Sequence, residues 1–207
     1  MDTLKDFVSA GNAELDSLLK FTAEIDKMTG VFRRTILLDR SRLENDAEHS
    51  WHIAVMALLF EKYAVEKINV SHAVAMLLVH DLVEIYAGDT FAYDVEGNAS
   101  KEQREKEAAD KLFAMLPAEH GQYIRNLWEE FDRRQTADAK YANSLDRLQP
   151  FLHNVLSGGY TWVNAEIPPV ADMVRKRMSI LEDFMPEVHK WVEASINNAI
   201  NKKWLSE

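Results

Sequence analysis

A nearly unbroken apolar run at residues 73–79 ends abruptly in His80 and Asp81, with Glu84 three residues further on. An apolar run of this kind is typical of a buried helix. Burying ionisable side chains at its end is costly unless something compensates them, and a metal ion is the usual compensation. On a helix, Glu84 shares a face with His80 and Asp81, so all three side chains can reach one ion. The stretch therefore predicts a metal site that needs further ligands from elsewhere in the chain.

The rest of the chain predicts an almost wholly helical protein. It has 7 glycines and 5 prolines in 207 residues, and its apolar residues recur at helical spacing with few alternating runs. Polar loops are predicted at residues 33–42 and 89–100, and the absence of repeats or linkers predicts one domain over residues 1–207. Start and stop signals predict helices from Asn12 to Gly30, Asn45 to about Tyr63, Asn69 or Ser71 to about Ala87, about Lys101 to Pro117, around Ile124 to Phe131, Thr136 to about Leu156, and from Pro168-Pro169 and Pro186 onward.

Charge and composition argue against several classes of function. The net charge of −10 argues against a nucleic-acid partner, which needs a basic surface. No apolar run appears long enough to span a bilayer and the N-terminus has no signal-peptide pattern, so no membrane partner is expected. The chain has no cysteine, which excludes disulfides and thiolate ligands and fits a cytoplasmic location.

Residues elsewhere in the chain are candidates for the missing ligands. His49 and His52 are one turn apart at the start of a predicted helix, and Asp146 is the only acidic residue in the middle of an apolar helix face. Together with the His80-Asp81 pair, His49 and Asp146 would give two imidazoles and two carboxylates, which suits a borderline or hard divalent ion. Two ordinary alternatives stay open: a core histidine is more often hydrogen-bonded than metal-bound, and Asp146 can pair with an arginine.

These residues resemble the signature of the HD-domain metal-dependent phosphohydrolases. The family pattern is a histidine, then a His-Asp pair, then a distant aspartate, each on its own helix, and here it reads His49, His80-Asp81 and Asp146. The similarity runs from about residue 33 to 156, and the flanking N- and C-terminal helices add little. The segments most similar to the subgroup of bacterial 5′-deoxynucleotidases and their eukaryotic relatives are residues 42–50, 80–90, 128–131 and 145–147.

The resemblance implies an all-α HD-domain helical bundle with a single buried metal site. One divalent ion would occupy it, and its identity stays open among Mn, Co, Ni, Fe, Zn and Mg. The ligands implied by the family pattern are His49, His80, Asp81 and Asp146.

The resemblance also implies roles for residues around the metal. Arg34, fifteen residues before His49, matches the arginine that contacts the substrate phosphate. Glu84 and Asp89 match two further acidic residues that complete the catalytic site. In the well-studied deoxynucleotidases a tryptophan that helps to exclude ribonucleotides follows the arginine, whereas here that position is Thr35.

The expected function is a metal-dependent phosphomonoesterase of the 5′-nucleotidase type, acting on nucleoside 5′-monophosphates, with deoxyribonucleotides as the expected substrates. The alternatives are a phosphodiesterase, a phosphatase for another small phosphorylated metabolite, or a non-catalytic regulatory module that holds a nucleotide. Glu84 and Asp89 argue against a pure binder, which has no need of two extra carboxylates near a phosphate. A homodimer is expected from family similarity, and Trp162, Trp191 and Trp204 are equally compatible with an interface and with the core.

Overall fold

The computed structural model describes residues 4–207. Two strands, β1 Phe32–Ile36 and β2 Leu43–Asn45, form a small antiparallel sheet, and the predicted all-α class is confirmed apart from this hairpin. The α-helices of the described part are α1 Ala13–Ile25, α2 Asp46–Phe60, α3 Val70–Val79, α4 Glu84–Ala87, α5 Val95–Ala99, α6 Lys101–Phe113, α7 Ala118–Arg133, α8 Ala137–Leu156, α9 Tyr160–Val163, α10 Ala171–Met178, α11 Ile180–Phe184 and α12 Pro186–Asn201.

The first predicted polar loop is wrong, because this segment forms the hairpin. Its strands pair Phe32 with Asn45 and Ile36 with Leu43, with an irregular register between the two pairs. Arg33 lies inside β1, where its side chain is largely buried and forms ion pairs with carboxylates. A buried charged residue interrupts the alternation of apolar and polar residues that identifies a strand, so the sequence of this segment predicted a loop.

Four predicted helix starts are confirmed by their capping side chains. Asn12, Asn69 and Thr136 accept hydrogen bonds from backbone N–H groups in the first turns of α1, α3 and α8. Asn45 and Glu48 form the predicted capping box at the start of α2, the helix that carries the first candidate ligand. These side chains satisfy N–H groups that have no partner within the helix, and so they fix where each helix begins.

Helix α3 lies between two parts of the hydrophobic core. On one side Leu77 packs in a cluster with Ile53 of α2 and Leu145 of α8, whereas Met76 packs on the other side in a cluster with Leu112 of α6. Because α3 is buried on opposite sides, its sequence is apolar almost throughout rather than amphipathic.

The helix predicted to run through His80 and Asp81 is interrupted there. Helix α3 ends at Val79 and α4 begins at Glu84. Between them, backbone N–H groups bond to carbonyl groups three residues earlier, as in a 3₁₀ turn. Gly88 ends α4 with a φ of 76°, as predicted for a helix stop. His80 and Asp81 therefore lie where the backbone tightens between two helices.

One helical stretch, Val70–Ala87, is long and apolar enough to span a membrane by length and composition alone, so the expectation that no run reaches this length is wrong. The core helix of a globular protein passes the same test. Of this stretch, 50% is buried inside the structure, and it contains His80, Asp81 and Glu84. The packing of α3 between two core clusters accounts for its apolar composition without a membrane.

The C-terminal helices differ slightly from the prediction. Val170 is extended and forms a bridge with Ser206, so α10 begins at Ala171 and not directly at the two prolines. The penultimate helix is also divided in two, α10 and α11, whereas the predicted start of α12 at Pro186 is confirmed. The second predicted polar loop contains the short helix α5.

Candidate metal centre

The four predicted ligands converge at one point from three segments of the chain. His49 lies in the first turn of α2, His80 and Asp81 lie at the turn after α3, and Asp146 lies in the middle of α8. His49 Nε2 is 3.1 Å from Asp146 Oδ1 and 4.0 Å from Asp81 Oδ2. His80 Nε2 is 3.0 Å from Asp81 Oδ2 and 3.7 Å from Asp146 Oδ1. Both imidazoles therefore face the same two carboxylate oxygens.

Hydrogen bonds on the far side of each imidazole determine which nitrogen faces the carboxylates. His80 Nδ1 lies 2.8 Å from the carbonyl oxygen of Leu77, which can only accept, so Nδ1 carries a proton and Nε2 is the nitrogen that faces the carboxylates. His49 Nδ1 donates in the same way to Gln149 Oε1 at 3.0 Å. Two imidazole Nε2 atoms and two carboxylate oxygens thus point into one space, the arrangement of donor atoms that a divalent ion requires.

The electrostatics of the site also fit a cation. His80 Nε2 is buried and lies 3.0 Å from Asp81 Oδ2, but not in the geometry of a hydrogen bond. Burial disfavours protonation of His80, but the carboxylates of Asp81 and Asp146 outweigh it and raise the pKa of His80 to about 10. Burial and the charge of Arg33 instead lower the pKa of His49 to about 4. The carboxylates therefore attract positive charge at this point, and the residues present fit a divalent metal ion.

Glu84 and Asp89 lie beside the ligands, at the start of α4 and directly after it. Glu84 is 2% exposed; its Oε1 is 3.7 Å from Lys101 Nζ, and its Oε2 has no hydrogen-bond partner in the described part of the chain. Burial and the charge of Asp81 raise the pKa of Glu84 well above its usual value. Burial also raises the pKa of Asp89, although Arg33 opposes this shift. Both carboxyl groups therefore keep a proton to higher pH than an exposed carboxyl does.

Arg33, to which the sequence assigned no role, contacts one of the four predicted ligands, Asp81, directly. Its Nη1 lies 2.7 Å from Asp81 Oδ2 and 3.1 Å from Asp46 Oδ1. Arg34 is exposed on the wall of the adjacent pocket, where its charge acts on Asp89, and it forms no ion pair with any described residue. Successive side chains of a strand point to opposite faces, so β1 turns Arg33 inward and Arg34 outward. Because the sequence did not predict this strand, it could not show which of the two arginines is buried.

Gln149 is a second residue that the sequence did not single out. Its Oε1 accepts the hydrogen bond of His49, and its Nε2 donates to Glu44 Oε1 at 2.6 Å. The same Nε2 lies 3.2 Å from His52 Nδ1 and 3.1 Å from His153 Nε2. Gln149 therefore orients the His49 ring from behind. Its position three residues after the aspartate of α8, on the same helix face, is a signal that could have identified it.

A pocket opens beside the ligands and combines apolar and cationic walls. Such a combination suits a ligand with a flat apolar part and an anionic part. The side chains that line it away from the ligands include Thr35, Phe91, Tyr93, Trp128, Phe131, Trp162, Met178, Arg34, Arg134, Arg147 and Arg177.

A helical fold in which a histidine, a His-Asp pair and a distant aspartate converge is the arrangement of the HD-domain proteins. A comparison with family models leads to the same class. The model described as "HD domain" matches residues 25–189, a wider region than the motifs alone suggest. The chain belongs to the HD domain family.

Particular relatives are known by name. The 5′-deoxynucleotidase HDDC2 of Xenopus laevis is 31% identical over 137 residues, which cover 66% of this chain and 67% of that protein. The 5′-deoxynucleotidase HDDC2 of Homo sapiens is 29% identical over 137 residues, which cover 66% of each protein.

Solved structures resemble the whole chain. A predicted metal-dependent phosphohydrolase from Magnetospirillum magnetotacticum MS-1 is 40% identical with a TM-score of 0.89, covering 97% of this chain and 100% of that one. An HD-domain phosphohydrolase from Listeria innocua is 14% identical with a TM-score of 0.61, covering 91% of this chain and 92% of that one. The second structure shares the fold.

Proposed function

We propose that this protein is a metal-dependent phosphomonoesterase that removes phosphate from nucleoside 5′-monophosphates, deoxyribonucleotides in particular. The observation that carries this proposal is the convergence of two imidazole nitrogens and two carboxylate oxygens in a pocket that also holds Glu84, Asp89 and Arg34. The names of the HDDC2 relatives and of the Magnetospirillum protein support both the reaction class and the substrate.

The metal would be held by the four converging side chains. When bound, the ion polarises a phosphoryl oxygen and lowers the pKa of bound water. Gln149 and the carbonyl group of Leu77 hold the two imidazoles so that their Nε2 atoms face the ion. One divalent ion, with Mn, Co, Ni, Fe, Zn and Mg as candidates, would be bound by His49, His80, Asp81 and Asp146.

Glu84 and Asp89 carry out the proton transfers. Hydrolysis needs one group that removes a proton from the attacking water and another that gives a proton to the leaving 5′ oxygen. Burial and neighbouring carboxylates raise the pKa of both residues, so ionisation of one disfavours ionisation of the other and the pair divides the two roles. Such help is typically worth about 10²–10⁴-fold, so most of the acceleration comes from electrostatic stabilisation of the phosphoryl group.

Arg34 binds the phosphate of the substrate, whereas Arg33 orients a ligand. Arg34 is exposed at the pocket wall and has no ion pair within residues 4–207, so its guanidinium is free to donate two parallel hydrogen bonds. Arg33 is already engaged by Asp81 and Asp46.

The test is phosphate release from a panel of compounds with added Mn²⁺, Co²⁺, Ni²⁺ or Mg²⁺. The panel holds deoxyribonucleoside and ribonucleoside 5′-monophosphates, a sugar phosphate and a phosphodiester, and His80→Ala serves as the inactive control. We expect release from the 5′-monophosphates, faster from the deoxyribonucleotides. Cleavage of the diester alone contradicts the monoesterase assignment, and nucleotide binding without release contradicts an enzyme of any kind.

We also propose that the protein is a homodimer in the cytoplasm. Trp51 and Leu58 are each 65% exposed, and with Val55 they form an apolar stripe at helical spacing on the outer face of α2. A second copy of the chain would cover this stripe. Trp162 is 2% exposed and belongs to the core, whereas Trp191 is partly exposed and is still available to an interface. Fractionation of the native cells tests the location.

A further inference from the structure

Three arginines line the pocket beyond the metal ligands. Arg134 follows the end of α7, Arg147 lies in α8 directly after the ligand Asp146, and Arg177 lies in the last turn of α10. All three line the same pocket as the ligands. These three residues are called the arginine cluster below.

The members of the arginine cluster share one pocket, and two of them are in contact. Arg147 Nη1 donates to the backbone carbonyl of Arg177 at 3.0 Å, which ties these two residues together. Like charges gathered in a partly buried site cost free energy unless an anion lies between them.

The chain itself does not supply that anion. Within residues 4–207 the arginines that form ion pairs with carboxylates do not include any member of the arginine cluster, although Asp132 also lines the pocket. By contrast Arg33, Arg42 and Arg175 each pair with a carboxylate. In a chain with 34 acidic residues and a net charge of −10, unpaired arginines gathered in one pocket indicate an external anion.

Phosphate is the anion that such a cluster matches best, because each planar guanidinium can donate to two phosphate oxygens. The phosphate that is hydrolysed is already assigned to the metal ligands and Arg34. We propose, building on the proposed function, that the arginine cluster binds a second phosphate group of the substrate. The preferred substrates would then be nucleotides that carry two phosphate groups.

Only the phosphate at the metal ligands is cleaved in this reaction. The oxygen of a water molecule bonds to its phosphorus, the bond from phosphorus to the leaving oxygen breaks, and that oxygen takes up a proton. Inorganic phosphate is released. The second phosphate stays on the product, where the arginine cluster holds it.

The test compares kcat/KM of the Mn²⁺-loaded protein for thymidine 5′-monophosphate, thymidine 3′,5′-bisphosphate and thymidine 5′-diphosphate. We expect kcat/KM for at least one doubly phosphorylated nucleotide to exceed that for the monophosphate by roughly 10-fold or more. Arg177→Gln should reduce this preference about 10-fold, the effect expected from loss of a hydrogen bond to a charged group. Lys176→Gln, which removes an equal charge from an exposed position of α10 outside the pocket lining, should keep the preference. The nucleotide that is preferred tells whether the second phosphate lies on the 3′ oxygen or next to the first phosphate.

Two results would overturn the second-phosphate site: a wild-type preference near one, or a preference that Arg177→Gln leaves unchanged. If no nucleotide is hydrolysed, the proposed phosphatase function fails, but calorimetric binding of the same three nucleotides still tests the arginine cluster. Tighter binding of a doubly phosphorylated nucleotide that is weakened in Arg177→Gln supports the cluster, and equal binding of all three contradicts it.

Discussion

Asp146 is the predicted ligand that joins α8 to the other two segments, since its Oδ1 faces both His49 and His80. Asp146→Asn keeps the shape of the side chain but removes its charge. We expect this variant to lose bound metal and phosphate release together, by more than the roughly 10–100-fold typical of a residue that supports a ligand from behind. Metal content after dialysis, measured beside phosphate release, checks the prediction. A variant that keeps both would show that Asp146 is not a ligand.

Gln149 supports the metal centre without facing it. Gln149→Met keeps similar volume but removes the acceptor that fixes the tautomer of His49. We expect the Kd for the metal to rise roughly 10–100-fold while the protein stays folded. Ser144→Ala is the matched control, because Ser144 is equally buried in α8 but bonds only to Lys140 in its own helix. Metal titration monitored by calorimetry measures both variants, and equal affinities would refute the role of Gln149.

Glu44, which accepts a hydrogen bond from Gln149, links stability to pH. Burial, opposed by Arg33, raises the pKa of Glu44 from 4.5 to about 7. Between these pH values the folded state binds more protons than the unfolded state, so the contribution of Glu44 to stability falls as pH rises. We expect metal-free Glu44→Gln to gain up to about 3 kcal/mol of unfolding free energy over the wild type from pH 4.5 to 7.

Urea unfolding at several pH values in a chelating buffer measures this difference for Glu44. Glu119→Gln, which removes an exposed carboxylate, shows how much of the effect comes from net charge alone. A difference between Glu44→Gln and the wild type that stays constant with pH would contradict the assignment.

Helix ends matter more than helix interiors in this protein, because His49, His80 and Asp81 all lie within a turn of one. Asn45 caps α2 directly before His49. We expect Asn45→Ala to lower the unfolding free energy by about 1 kcal/mol, as for loss of an N-cap, and also to weaken metal binding because the first turn of α2 frays.

Asn12→Ala is the matched control for this cap. It removes an equivalent cap from α1, which carries none of the metal ligands. Thermal unfolding and metal titration of both variants separate the two effects. If Asn12→Ala weakens metal binding as much as Asn45→Ala does, the effect arises from general loss of stability and not from the position of His49.

The apolar stripe on the outer face of α2 bears on the oligomeric state of the whole molecule. If a second copy covers it, Leu58→Glu should convert the dimer into a monomer, because a charge would be buried in an apolar interface. Ile167→Glu, at another exposed apolar position, should leave the dimer intact. Light scattering coupled to gel filtration measures the mass of each variant. A wild-type protein that is monomeric at micromolar concentration would rule out the dimer.

The sequence by itself determined the helical class and the caps of four helices, and its resemblance to the HD-domain pattern implied four metal ligands, whose side chains the structure brings together. The helices and their caps depend on local rules: apolar spacing identifies a helix, and Asn or Thr identifies its start. The four metal ligands were implied by the resemblance to the family pattern. The single domain over residues 1–207 and the roles of Glu84, Asp89 and Arg34 stay predictions.

Only the tertiary structure decided which side chains stand behind and beside the ligands. The role of Arg33 could not be predicted, because its strand is recognisable only once the charge of Arg33 is known to be neutralised. Its partners Asp81 and Asp46 lie in other parts of the structure. Arg134, which follows α7, comes together with Arg147 of α8 and Arg177 of α10, and nothing in the spacing of the chain relates them. Local patterns record the burial of each residue, whereas the partner of a buried charge depends on how the helices pack.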